Sequence, residues 1–306
     1  MKNLWNFKTS RDYIVNFKKF GVNQDLALRI YTTHLIGGEK KLVLHGGGNT
    51  SVKYFYTDIF NRKNRAIFVK GSGWNMSNLN HQGMPGLKLE PLLKTISFKK
   101  MTDENMVNYL RLNLLDSNSP NPSVETLLHA FLPHKYIDHT HSNAILSLVN
   151  LNESVFLIKK IFGKKLAIVP YIMPGFQLAK LSYEIYNEDK DVEGMLLLKH
   201  GIFTFGESAK QSYDRMIKYV TIAENYIKKN KKKYSIIKFN NLKTSNDIPV
   251  LCRKIFNQID NKKWIIKLNS SNEDKEFTLR KDISILFNKG PVTPDHVIRI
   301  KSQPLI

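Results

Sequence analysis

A single cysteine, Cys252, stands among 306 residues. One thiol closes no internal disulfide, which fits a reducing compartment, and a cytoplasmic location is expected. No apolar run approaches the ~18 residues that a membrane helix needs. The opening stretch MKNLWNFKTSRDY lacks the apolar centre of a secretory signal, so none is expected. Acidic residues are scarce: 26 against 47 Lys and Arg, a formal net charge of +21. Such an excess raises binding to nucleic acid. The lysines are spread along the chain, however, Asn and Ile are abundant beside them, and no nucleic-acid motif accompanies them. The excess therefore reads mainly as compositional drift, and a basic surface can draw in anionic, phosphorylated substrates. A dinucleotide fingerprint G-x-G-x-x-G and a Walker loop are also missing. His45-Gly46-Gly47-Gly48 matches the oxyanion loop of some esterases, but the G-x-S-x-G elbow that such an enzyme needs does not occur.

What is present is enough for a folded α/β protein. The hydrophobic fraction of 42% supports a core. The first 40 residues or so read as helical, ending at Gly37-Gly38. KLVLHGGGNTSVKYF reads as strand, Gly-rich turn, strand, and RAIFVKGSGWNMS as a strand running into a loop at Gly71-Ser72-Gly73. KLEPLLKTISF and TDENMVNYLRLNLL read as helices. Ser123 is placed to cap the helix VETLLHAFL, which Pro133 ends. YIDHTHS and VEGMLLLKHG read as strands, with NAILSLVN a helix and LAIVPYIMPG a short buried strand between them. From Ser208 to about Lys228, apolar residues alternate steps of four and three, a helical packing face. The run Lys228–Lys233 then marks an expected boundary, with residues 1–230 as one domain and 231–306 as an extension of open role.

The chemistry concentrates in Glu125, His139, His141 and His200. Three imidazoles and one carboxylate are the ligand and base set of a catalytic divalent-metal site. On a strand, residues i and i+2 share a face, so His139 and His141 reach one ion. His200 comes from a second strand-like run that stops at Gly201. Asp138 is expected to face outward or to orient a metal-bound imidazole. His129, four residues after Glu125, either orients the glutamate or packs as a buried histidine. His34, His81, His134 and His296 have no comparable context and read as structural or surface residues. Upstream, the turns at Gly46–Ser51 and Gly71–Gly73 offer successive backbone N–H groups that form an anion-binding concavity.

In this order (Gly48-Asn49-x-Ser51, Gly71-Ser72-Gly73, Pro122-Ser123-Val124-Glu125 with His129, His139-x-His141, Lys199-His200-Gly201) the pieces resemble the class II aldolase/adducin-type family over roughly residues 20–230. NPSVETLLHAFLPHKYIDHTH, LLLKHGIFTFG and GPVTPDHVIRIK look like one branch. There a rhamnulose-1-phosphate aldolase-like half precedes a short-chain dehydrogenase half. The resemblance implies an α/β/α sandwich around a mainly antiparallel sheet and a homotetramer with sites at subunit interfaces. It implies Zn²⁺, or another divalent ion, on His139, His141 and His200, and Glu125 as the proton-transferring residue. Asn49, Ser72, Gly73 and Ser123 would hold the phosphate of a small phosphorylated sugar. The implied reaction is reversible cleavage of a ketose 1-phosphate to dihydroxyacetone phosphate and an aldehyde such as lactaldehyde. Same-fold epimerases, dehydratases and decarboxylases, and adducin-like binding modules, are the alternatives. Two departures stand out. The chain carries no dehydrogenase half, which leaves a separate partner chain, a lost half or a fragment. Val124 stands where phosphate-binding members often have a second Ser.

Overall fold

Two asparagines open the first two helices. Asn6 accepts the Thr9 N–H at the start of α1 (Phe7–Lys18), and Asn23 accepts the Asp25 N–H at the start of α2 (Gln24–Gly37). Each satisfies a backbone donor that has no partner within the helix. The structure, a computed structural model, describes residues 1–230, 247–260, 262–268, 271–300 and 303. After α2 come strands β1 (Asn49–Thr57), β2 (Lys63–Val69) and β3 (Gly86–Lys88). Helices α3 (Leu89–Lys94), α4 (Asp103–Leu112) and α5 (Thr126–Phe131) lead to β4 (Tyr136–Thr140). Helices α6 (Asn143–Val149) and α7 (Ser154–Phe162) precede β5 (Leu166–Val169). The long helix α8 (Phe176–Glu188) is followed by the hairpin β6 (Gly194–Leu197) and β7 (Gly201–Gly206), then by α9 (Ala209–Asn230).

Among the described residues, seven strands form one sheet in the order β3-β2-β1-β4-β7-β6-β5, in which only β5 and β6 run parallel. Side chains alternate across it. On β7, Phe203 and Phe205 enter one core with Leu92, Leu128 and Phe176, beneath α3, α5 and α8. Ile202 enters the other core with Ile36, Ile145, Met216 and Val220, beneath α2, α6 and α9. This is the expected sandwich: a mainly antiparallel sheet with helices on each side. Each large apolar side chain so buried contributes roughly 1.5–3 kcal/mol.

Met1–Asn230 and Val292–Ile300 form one compact unit, so the run 231–306 is not a single body. The second unit, Lys231–Pro291 with Lys301–Ile306, contains α10 (Asp247–Asp260), α11 (Asn272–Thr278) and α12 (Ile283–Phe287). The short α13 (Pro294–Val297) belongs to the first unit. Lys231–Lys233 of the basic run lie outside the described residues. Among the described residues, no helix is long and apolar enough to cross a membrane.

Three local readings change. The segment at Leu42–His45 is not a strand. Leu42 and Val43 are buried in the core, but His45 (φ 49°) and Gly46 (φ 86°) take left-handed backbone conformations that no strand accommodates. Helix α5 begins at Thr126, so Glu125 sits at its N-cap rather than within it. Asp138 neither faces outward nor touches a candidate ligand. It points to the opposite side of β4 from His139, is fully buried, pairs with Arg29 of α2 and accepts the Ser212 hydroxyl at 2.5 Å. Arg29 also donates to the Ile137 carbonyl at 3.4 Å, tying α2 to β4 behind the site.

Candidate metal centre

The central strand β4 presents His139, and His141 follows one residue beyond its end. Both imidazoles are fixed from behind. His139 is buried, stacks on Phe203 with ring centroids 4.1 Å apart, and places Nδ1 3.0 Å from the Ile202 carbonyl. A carbonyl only accepts, so Nδ1 carries the proton and Nε2 keeps its lone pair. His141 places Nδ1 2.7 Å from Asp295 Oδ1, and the same logic leaves its Nε2 lone pair free. The two Nε2 atoms are 3.0 Å apart. Two lone pairs that close do not hydrogen-bond to each other; a shared cation reconciles them.

His200 arrives from the hairpin between β6 and β7. Leu197 pairs with Gly201, leaving a three-residue loop in which Lys199 takes the left-handed conformation (φ 58°). Such loops close antiparallel hairpins and here turn the next side chain, His200, toward β4. Gly201 has to be glycine, because a Cβ would lie 2.4 Å from the Thr140 carbonyl and 3.2–3.3 Å from the rings of His139 and His141. One ring nitrogen from each of His139, His141 and His200 lies within 4.8 Å of the others. Among the described residues, His200 Nδ1 and Glu125 Oε1 are buried without a hydrogen-bond partner. Burial holds the His139 ring well below the usual histidine range, helped by His141 and His200; burial also lowers His200. Neutral imidazoles are the form that binds metal. The residues present therefore fit a divalent cation.

Glu125 closes the cluster. Its Oε1 is 3.3 Å from His200 Nε2 and its Oε2 is 3.4 Å from His139 Nε2. A buried polar chain holds it: the Ser51 hydroxyl meets His129 Nδ1 at 2.8 Å, His129 Nε2 meets Asn49 Oδ1 at 2.5 Å, and Asn49 Nδ2 donates to Glu125 Oε2 at 2.6 Å. Of the two readings open for His129, the orienting one has geometry, acting through Asn49. Asn49 Nδ2 also donates to the Ser123 hydroxyl at 3.0 Å, and that hydroxyl accepts the Glu125 N–H at 3.2 Å. Asn49 and Ser123 are thus both buried against the glutamate.

Ser72 and Gly73 lie exposed on the loop that follows β2. Lys70 ties this loop to the first glycine turn, donating to the Gly46 and Trp74 carbonyls at 2.8 Å each. Burial pushes its ammonium down to about 8, against the opposing charges of Glu125 and Asp295. Sequence reasoning gave no role to Lys70 or Asp295. Lys70 had a local signal, a lysine directly before the Gly71-Ser72-Gly73 turn. Asp295 had only its position in the branch-like run GPVTPDHVIRIK.

Stability should fall on acidification. His129, His139 and His200 are all held below the ordinary histidine value, first by burial. An unfolded histidine titrates near ~6.5, so below that pH the unfolded chain binds more protons than the folded one. Their stabilising contribution is present above that value and is lost as pH falls through it. Lys53, pushed down to about 7 by burial, acts in the same direction from about pH 10 downward. Thermal unfolding of the metal-free protein should show a midpoint that drops between pH 7 and pH 5. A flat or inverted profile contradicts the buried neutral imidazoles.

A mainly antiparallel seven-stranded sheet between helical layers, with three histidines and a carboxylate gathered at its central strands, defines a class II aldolase type of α/β protein. The chain belongs to the class II aldolase and adducin family: the family model for the class II aldolase and adducin N-terminal domain matches residues 29–227. A model for the second domain of class II aldolases matches residues 241–306. The N-terminal class II aldolase domain of a conserved protein from Thermoplasma acidophilum is 40% identical, with a TM-score of 0.66. The match covers 74% of this chain and 99% of that one. A sugar-phosphate aldolase from Thermotoga maritima shares the fold at 17% identity and a TM-score of 0.50, over 67% of this chain and 96% of that one. An uncharacterized oxidoreductase of Bacillus subtilis is 33% identical over 286 residues, 90% of this chain; the match spans 41% of that protein's length.

Proposed function

We propose that the protein is a divalent-metal-dependent aldolase that cleaves a ketose 1-phosphate, such as rhamnulose 1-phosphate, to dihydroxyacetone phosphate and an aldehyde such as lactaldehyde. The observation that carries the reading is the contact of one carboxylate, Glu125, with two members of a buried three-histidine cluster, 3.3–3.4 Å from His200 and His139. The same fold in a sugar-phosphate aldolase is in keeping with it.

Zn²⁺ suits a three-nitrogen set, and bound there it supplies Lewis-acid stabilisation of the negative charge that develops on substrate oxygens as the carbon–carbon bond breaks. His139, His141 and His200 would hold it. Glu125, fixed by Asn49, delivers a proton to the carbon that keeps the bonding electron pair and removes that proton in the condensation direction. The aldehyde forms as the hydroxyl on the departing carbon loses its proton to solvent water, and Glu125 regains from solvent the proton it gave to carbon. We assign the phosphate end to the exposed loop at Ser72 and Gly73, which directly follows Lys70, and to Asn49 and Ser123, which are buried against Glu125. At neutral pH an ammonium titrating at about 8 remains mostly charged. The name of the Bacillus protein and the 41% of its length matched here support the aldolase-plus-dehydrogenase branch. In that branch this chain corresponds to the aldolase part, and a short-chain dehydrogenase is the expected companion activity.

A coupled assay for dihydroxyacetone phosphate tests this. The zinc-loaded protein should release it from rhamnulose 1-phosphate or a related ketose 1-phosphate, and chelation should abolish the release. Conversion of the sugar phosphate without triose phosphate release points instead to an epimerase or dehydratase.

A further inference from the structure

Asp295 lies 154 residues beyond His141 in the chain yet is buried against it. Its two oxygens face different partners: Oδ1 meets His141 Nδ1 at 2.7 Å, and Oδ2 accepts the Leu44 N–H at 2.9 Å. The site is shaped to receive it. A Cβ on Gly47 would fall 1.5 Å from Asp295 Oδ1, so the bare glycine leaves the space that the carboxylate fills. Two independent anchors hold the segment: Arg299 donates to the His45 carbonyl at 2.7 Å and Asn150 donates to the Val292 carbonyl at 3.1 Å. Within it, the Thr293 hydroxyl meets His296 Nδ1 at 2.6 Å.

We infer that Asp295 is a positioning residue for His141. It fixes the proton on Nδ1 and aims the Nε2 lone pair at the point shared with His139 and His200. The middle glycine of the Gly46–Gly48 turn thereby serves the histidine cluster by admitting a carboxylate from late in the chain. The inference rests on the reading of the three histidines as metal ligands. A carboxylate behind a ligating imidazole orients the ring and raises its basicity, and its loss typically costs about 10–100-fold in metal affinity.

The test is a competition titration of Zn²⁺ against a chromogenic chelator, on the full chain and at one pH. Asp295→Asn keeps the shape, but its amide cannot accept from both His141 and Leu44. It should weaken Zn²⁺ binding by about 10–100-fold. Arg299→Ala, which loosens the segment without touching His141, should stay within about threefold of the parent. Equal affinity of parent and Asp295→Asn overturns the positioning role, as does equal weakening by both variants, which would mark segment docking alone as the cause. A parent that takes up no Zn²⁺ overturns the metal reading and this role with it. A measurement on the unaltered protein stands beside the variants. Nitrogen-edited NMR of the histidine rings should find His141 protonated at Nδ1 in the metal-free protein near pH 8. Protonation at Nε2 overturns the inference whatever the variants do.

Discussion

His141→Ala should lose tight divalent-metal binding and cleavage activity while the fold survives. One of three candidate nitrogen ligands disappears, and the two that remain lie on β4 and on the loop between β6 and β7. Charge stabilisation by a bound metal amounts to several kcal/mol. At 1.36 kcal/mol per tenfold, a loss of about 4 kcal/mol lowers turnover about 10³-fold. Survival of the fold follows from position. His141 lies past the last paired residue of β4, and its polar contacts are the His139 ring and Asp295. Leaving the buried Asp295 oxygen without its donor costs about 1–3 kcal/mol, a modest loss for a domain of this size. Metal analysis of the purified variant and its unfolding curve check both halves. A variant with full metal content and full turnover removes His141 from the ligand set.

Glu125→Gln should show the converse pattern, with metal retained and the rate lost. The amide preserves size and still accepts from Asn49 Nδ2, so the loop before α5 stays in place. What it lacks is the capacity to take up and release a proton. Positioned acid–base groups contribute about 10²–10⁴-fold, and kcat should fall within that range while bound Zn²⁺ is unchanged. In the condensation direction the variant should also fail to exchange the substrate proton with solvent deuterium. Unaltered exchange and turnover exclude Glu125 from proton transfer. The two variants together separate metal capture from proton transfer on the same few side chains.

Features with a short repeat were legible in the amino-acid sequence. Strand alternation puts His139 and His141 on one side of β4, and their Nε2 atoms do converge at 3.0 Å. The helical stripe from Ala209 to Ala223 packs as read. The antiparallel sandwich came from family resemblance and the order of its strands from the structure, since local patterning does not record which strands pair. Glycines told of close approach but not of what approaches. Gly47 looked like part of an anion-binding turn, whereas its missing side chain makes room for Asp295. Asp138 was misread because alternation only places it across β4 from His139, and nothing nearby signals Arg29, which belongs to α2. His129 acts on Glu125 through Asn49, a link of 80 residues that no spacing rule contains.

The pairing of His141 with Asp295 also orders events in time. At about 5–20 residues per second, the 154 residues between them take the ribosome roughly 8–30 s to add. β1, β4, Glu125 and His139 precede that interval, and His200 and β7 are made within it, still well ahead of Asp295. The nascent chain thus holds every histidine of the cluster well before the carboxylate that braces one of them, and the centre reaches its final rigidity only when Asp295 arrives.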